Sequence, residues 1–425
     1  MSVKMTDHPP MGWNSWDCFG GSVNESQLLE NAEYMRDNLK PFGWEYVVCD
    51  IQWYEPYMTG HYYRNFADLC MDEFSRLIPA ENRFPSSAGG KGFKPIADKI
   101  HGMGLKFGIH IMRGVPRQAV HSNTPIMCDG VTARDIAHPF SLCSWNCDMY
   151  GVDPKKAGAQ EYYDSIVQLY ADWGVDLVKC DDIGNTEFKP HDPYFGAPEI
   201  EMLRKAIDKT GRKMVLSLSP GPAPLFAHDH LSRNAEMWRV SGDFWDRWDK
   251  IIEMFDLCKA WAPYVTDGAY PDCDMLPVGR LEKCNGNPKG RWTRLTQNEQ
   301  ITMLTLWSIF RSPLMIGGNM PENDAFTLNL LTNESIIEMN KKSRNAAEVC
   351  RDDEKIIWTA DYDGGKYVSV FNISDVDSEI SLDAKTVGIE PDSILTELWT
   401  GETFTAENGV LTLKIASHGA AALKK

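Results

Sequence analysis

The sequence predicts an α/β chain: a (β/α)8 TIM barrel followed by a small C-terminal antiparallel β-sandwich domain. Three observations lead there. Short apolar runs alternate with segments of helical period over about three quarters of the chain, the rhythm of a parallel sheet wrapped by helices. Eight such runs precede residue 344, and none is followed by a glycine-rich dinucleotide loop, which favours a closed barrel over an open doubly wound sheet. Beyond that point the texture changes to short β-type runs separated by turn residues. A chain of 425 residues also exceeds what one core usually holds, so a barrel over 1–344 and a β-domain over 345–425 are expected.

The runs read as barrel strands are PPMGWNSW (9–16), YVVCDIQW (46–53), LKFGIHIM (105–112), VDLVKCD (175–181), KMVLSLS (213–219), MWRVSGD (237–243), a weaker APYVTDG (262–268) and PLMIGG (313–318). Helices are expected between them at 24–39, 157–174, 246–261 and 296–310. In the first of these Asn24 can cap, while Leu28, Leu29, Ala32 and Met35 recur at helical spacing. The C-terminal runs are KIIWTADY, KYVSVFNI, SEISL, SILTELWT and GVLTLKIA, joined through DGG, SDVD, TGE and ENG. Loops 54–92 and 112–156 are long for connections, and in a barrel such loops build the pocket.

A hydrophobic fraction of 43%, with 14 Trp, 17 Phe and 15 Tyr, supplies a core and leaves aromatics for a site. The net charge of −17 repels nucleic acid and anionic membranes, so neutral ligands are favoured. The N-terminal stretch MSVKMTDHPPMGWNSW has no basic segment followed by an apolar run, and no span of about 20 apolar residues occurs. With 11 scattered cysteines, the expectation is a cytoplasmic protein with mostly free thiols. CSWNC (143–147) lacks a second cysteine pair or nearby histidines, so neither zinc nor any other cofactor is expected. Association into a homo-oligomer is left open.

Barrel enzymes carry their chemistry at the C-terminal ends of strands. Here those ends carry Trp16, Asp50 and Trp53, His110 and Arg113, Lys179 and Asp181, Ser219, Arg239 and Asp243, and Asp272 or Asp274. Alternation puts Lys179 and Asp181 on one face and Cys180 and Asp182 on the other. Facing inward, Lys179 would keep Asp181 ionised as a nucleophile; the competing reading is a buried structural ion pair. Asp243 is the second carboxylate, kept protonated by partial burial and neighbouring negative charge, or else the N-cap of a helix starting near Phe244. Trp13, Trp16, Trp53 and Trp145 can stack on a sugar ring or fill the core. A metal site built from Asp50, His110, Asp181 and Asp274 is the rival chemistry, opposed by the cations at the same strand ends.

Taken in order, PPMGWNSW, GWEYVVCD, GLKFGIHI, DWGVDLVKCDD, EMWRVSGDFWD, PDCDMLPVG and SPLMIGG make the chain resemble glycoside hydrolase family 27 of clan D, the α-galactosidase and α-N-acetylgalactosaminidase family. The resemblance implies a barrel with a C-terminal β-domain, no cofactor, a carbohydrate substrate and a double-displacement mechanism that retains anomeric configuration. It places the nucleophile on Asp181, the acid/base on Asp243 beside Arg239, and sugar binding on Trp16, Asp50 and Lys179.

The chain departs from the family pattern where substrate is read. Ile51 stands where a second aspartate usually holds a galactose hydroxyl, His110 replaces a tyrosine, and Ser219 takes the place of a glutamate, as in the N-acetylgalactosaminidases. Gln52 and Ile183 replace the disulfide cysteines of secreted members. The resulting expectation is a retaining exo-glycosidase for terminal α-D-galactose-type residues, with α-galactosidase ahead of α-N-acetylgalactosaminidase and β-L-arabinopyranosidase. Outside the family, a metal-dependent barrel enzyme and an inactive sugar-binding protein are the alternatives.

Overall fold

Eight short strands lie side by side in parallel, in the order seventh to first and then eighth. They are Met11–Asn14, Tyr46–Cys49, Lys106–Met112, Leu177–Asp181, Val215–Leu218, Met237–Arg239, Tyr270–Asp272 and Leu314–Ile316. The sheet closes where Leu276, just past the seventh strand, bridges Ile316: its N–H donates to Met315 O (2.7 Å) and its carbonyl accepts from Gly317 N (2.9 Å). The computed structural model describes residues 6–186, 189 and 191–425; residues 1–5 of the N-terminal stretch quoted above lie outside them.

Strand alternation sorts side chains between two cores. Tyr46, Val48, Leu177, Val215, Met237, Met275 and Met315 fill the barrel interior. Val47, Cys49, Val178, Cys180, Leu216 and Trp238 face the helices. In the fourth strand Leu177 is therefore the interior plug, and Lys179 and Asp181 stand above it on the same side, at the C-terminal rim.

The helices follow their sequence signals closely. Asn24 caps Glu25–Tyr34 in a capping box with Gln27, and Met35–Leu39 continues as a wider turn. Ala159–Trp173 ends at Gly174, whose left-handed φ of 87° suits glycine. Thr296 caps Gln297–Phe310 in a second capping box with Glu299. The seventh strand is a correction. Residues 262–264 form a single 3-10 turn after Trp248–Trp261, Thr266 and Ala269 pair across a tight turn at Gly268, and the strand comes only afterwards, at Tyr270–Asp272. The β-branched residues of APYVTDG imitate a strand, and the true one is three residues long with a proline at its centre.

C-terminal to the barrel, Arg344–Arg351, Lys355–Tyr362, Gly365–Asn372, Ala420–Lys424, Ile394–Glu397 and Thr403–Thr405 form an antiparallel sheet in that order. Ser378–Asp383 pairs with Val410–Ile415 over it, enclosing Val368, Val370, Leu395, Leu411 and Leu423. This sheet docks on Gln297–Phe310: Trp399 Nε1 donates to Thr305 Oγ1 (3.0 Å), and Thr302 Oγ1 to His418 O (2.7 Å). All eleven cysteines are free thiols, and among the described residues no helix is long and apolar enough to cross a membrane.

Candidate active site

Lys179 projects from the fourth strand across the barrel to Asp50, at the end of the second. Its Nζ donates to Asp50 Oδ2 at 2.8 Å, and Asn14 Nδ2 donates to the same oxygen at 2.7 Å. The other oxygen accepts from the Ile51 N–H at 2.8 Å. Burial alone would raise the pKa of Asp50, but the Lys179 cation, joined by His110 and the hydrogen bonds from Lys179 and Ile51, holds the carboxyl well below its usual range.

Asp181 is not the hydrogen-bond partner of Lys179. His110, opposite Lys179 in the third strand, donates from Nε2 to Asp181 Oδ2 at 3.1 Å. Burial pushes Asp181 up; the His110 hydrogen bond first, and the charge of Lys179 after it, hold it below the ordinary carboxylate value. The ionisation expected of Asp181 is thus obtained mainly from a neighbour other than the one anticipated. Asp182 turns away with φ 55° and pairs with buried Arg113 at 2.8 Å, which in turn holds Glu199 at 3.0 Å. Arg113 is a buried structural cation rather than part of the site.

At the sixth strand Arg239 Nη2 reaches both Asp274 Oδ2 (2.8 Å) and Asp243 Oδ1 (3.3 Å). Asp274 also accepts from the Phe244 N–H at 2.7 Å, and burial, opposed by Arg239, pushes its pKa up to about 7. The Asp243 side chain is 66% exposed, so the partial burial expected of it is not found. Nor does it cap a helix: the next one begins at Trp248, with Arg247 at its N-cap.

These groups share one cavity of about 490 Å³, lined by Trp16, Asp50, Lys179, Asp181, Arg239, Asp243 and Asp274 among others. Aromatic residues from the loops complete the wall. Tyr63 stacks on Trp16 with centroids 5.9 Å apart, Trp145 leans on Tyr63 at 5.6 Å, and His61 bridges toward Trp245 at 6.0 Å. His61 is pinned at both nitrogens, to Trp16 O at 3.0 Å and Cys284 Sγ at 3.2 Å.

Of the sequence candidates, Trp16, Trp145, Asp50, Lys179, Asp181, Arg239, Asp243 and Asp274 come together on this wall. Others sit deeper. His110 is fully buried behind Asp181, so its hydrogen bond goes to a carboxylate and not into the cavity. Ile51 is buried in the core, and Trp13 and Trp53 are core residues whose indoles donate to the Gly318 and His110 carbonyls. Ser219 is buried too, its hydroxyl unpartnered, and the wall beside it consists of Pro220, Gly221 and Pro222. Sequence reasoning missed Asp17, His61, Tyr63, Asn185, Trp245 and Met275. Asp17, Trp245 and Met275 stand within two residues of named candidates, and His61 and Tyr63 lie in the long loop expected to build the pocket.

The chain is similar to known proteins over nearly its whole length. Residues 154–342 match the family profile described as alpha galactosidase A, and residues 352–424 that of the alpha galactosidase C-terminal beta sandwich domain. α-Galactosidase 2 of Arabidopsis thaliana is 25% identical over 420 residues, covering 96% of this chain and 87% of its own. The crystal structure of a β-L-arabinopyranosidase from Geobacillus stearothermophilus superposes with a TM-score of 0.95 at 51% identity, covering 99% of this chain and 96% of that one. A Bacillus halodurans structure, provisionally assigned as an α-N-acetylgalactosaminidase, gives 0.88 at 47% identity, covering 100% and 99%. A barrel with this acidic, aromatic-walled mouth and these relatives is that of a glycosidase, an enzyme that acts on carbohydrate. Within that class, the chain belongs to glycoside hydrolase family 27.

Proposed function

We propose that the protein is a retaining exo-glycosidase for terminal sugars of galactose configuration, and that β-L-arabinopyranosides are its best substrates. The observation that carries the choice of sugar is position 51. β-L-Arabinopyranose has the ring configuration of α-D-galactose without the exocyclic CH2OH. Isoleucine at 51 supplies no acceptor for a 6-hydroxyl, and both oxygens of the adjacent Asp50 are already bonded within the protein. The arabinopyranosidase activity of the Geobacillus relative supports the same reading. It moves β-L-arabinopyranoside ahead of α-galactoside, which the Arabidopsis relative supports. The α-N-acetylgalactosaminide reading, which the Bacillus halodurans structure favours at 47% identity, ranks behind the β-L-arabinopyranoside one.

The chemistry follows from the two carboxylates. Asp181, ionised and oriented by His110, attacks the anomeric carbon as Asp243 protonates the departing glycosidic oxygen. The resulting glycosyl ester is hydrolysed by water that gives its proton to Asp243, and Asp181 leaves as carboxylate. Two inversions at one carbon restore the starting configuration. Trp16 stacks on the ring and the Asp50–Lys179 pair binds its hydroxyls.

A panel of p-nitrophenyl glycosides tests the assignment. kcat/KM on the β-L-arabinopyranoside is expected to exceed that on the α-D-galactoside by about tenfold or more, the range for one carbon group in a fitted pocket. Ile51→Asp should narrow the gap. A ratio at or below one sinks the sugar assignment.

The metal alternative has its own test. Asp50 already accepts three hydrogen bonds, Lys179 and Arg239 place positive charge on the same wall, and among the described residues no group of three or more His, Cys, Asp and Glu is arranged to hold an ion. Turnover is therefore expected to survive dialysis against excess EDTA. Loss of activity that a divalent ion restores would return the metal reading.

A further inference from the structure

We propose that Asp17 is a sugar-recognising residue, which binds a hydroxyl of the glycone through a carboxyl group that the protein itself leaves unpartnered. The proposal rests on the part of the proposed function that makes the cavity a carbohydrate site. Asp17 follows Trp16 in the one-turn helix Trp16–Phe19, and it lines the cavity while being only 1% exposed.

Its isolation sets it apart. Every other acid on the wall has a protein partner: Asp50 has Lys179, Asp181 has His110, and Asp243 and Asp274 share Arg239. Among the described residues the Asp17 carboxyl has none, and its Oδ2 is enclosed without a hydrogen bond. Gly317 backs it so closely that a β-carbon there would lie 2.0 Å from that oxygen. The main chain, by contrast, is fastened: Asp17 O accepts from the Glu282 N–H at 2.8 Å. A polar group held in place and unsatisfied destabilises the empty protein, and a ligand hydroxyl that meets the carboxyl from the cavity side, opposite the enclosed Oδ2, offsets that cost. Burial first, and nearby Asp274 second, push its pKa well above the usual carboxylate range, so it meets a hydroxyl as donor as well as acceptor.

The test uses the full chain, titrated with L-arabinose and D-galactose by calorimetry, beside Asp17→Ala and Asp17→Asn. Asp17→Ala is expected to weaken the binding of the preferred sugar about tenfold, with a similar loss in kcat/KM, while its thermal midpoint holds or rises. Asp17→Asn, which keeps hydrogen-bonding capacity, should stay within about threefold of wild type. Undiminished sugar binding by Asp17→Ala overturns the proposal, as does an Asn variant no better than Ala, or a thermal midpoint that falls in step with affinity. Wild-type protein that binds sugar without hydrolysing glycosides would overturn the proposed function and leave the Asp17 assignment standing. Wild-type protein that binds neither sugar would overturn both.

Discussion

Asp181→Ala is expected to lower turnover of aryl glycosides on the order of 10⁴-fold or more, the scale of removing an enzymatic nucleophile. The reason lies in how the residue is held. Asp181 is half-buried at the base of the cavity, kept ionised by His110 and Lys179, and its second oxygen accepts from the Asp182 N–H at 3.0 Å, which fixes the plane of the carboxylate. The two other carboxylates at the inward strand ends, Asp50 and Asp274, are more firmly held. Asp50 is held by three donors, and Asp274 is tied to Arg239 and the Phe244 amide. Truncation leaves a hole beside His110 and Lys179 that suits a small anion. Added azide is therefore expected to restore turnover and to yield the glycosyl azide of inverted anomeric configuration, because one displacement replaces two. An active Asp181→Ala enzyme without azide, or a rescued product of retained configuration, would remove Asp181 from the role of nucleophile.

What was legible in the sequence divides along a physical line. Period-2 alternation fixes which face of a strand a residue takes, so Lys179 and Asp181 could be assigned to the barrel mouth and Cys180 and Asp182 away from it. Alternation carries no information about depth or reach. His110 shares the inward face but lies fully buried, and Lys179 is long enough to bypass Asp181 and end at Asp50. The seventh strand failed because three residues are too few to show a period, whereas a nearby turn rich in β-branched residues imitates one. In the C-terminal sheet Ala420–Lys424 was missed for a related reason: AAALK is helix-forming by propensity and becomes a strand only between Gly365–Asn372 and Ile394–Glu397. The aromatic wall of His61, Tyr63 and Trp245 comes from loops, whose paths are set by packing and have no period.

Asp243→Ala separates catalysis from structure more sharply than any other substitution at this site. If Asp243 were a helix cap, its loss would cost about 1 kcal/mol of stability and leave chemistry intact. The helix begins five residues later and the side chain is 66% exposed, so the thermal midpoint is expected to stay at the wild-type value. Activity should instead fall according to the leaving group. Glycosides of poor leaving groups need protonation as the bond breaks, and their kcat/KM is expected to fall by about 10²–10⁴-fold. Activated aryl glycosides leave unaided, so their first step is nearly spared and the slow step becomes hydrolysis of the glycosyl ester, which has lost its base. Azide needs no base. It should accelerate that second step and release a glycosyl azide of retained configuration, opposite to the product from Asp181→Ala. Opposite azide anomers from the two variants would fix both roles at once. Equal losses on activated and unactivated substrates, with no response to azide, would take the acid/base role away from Asp243.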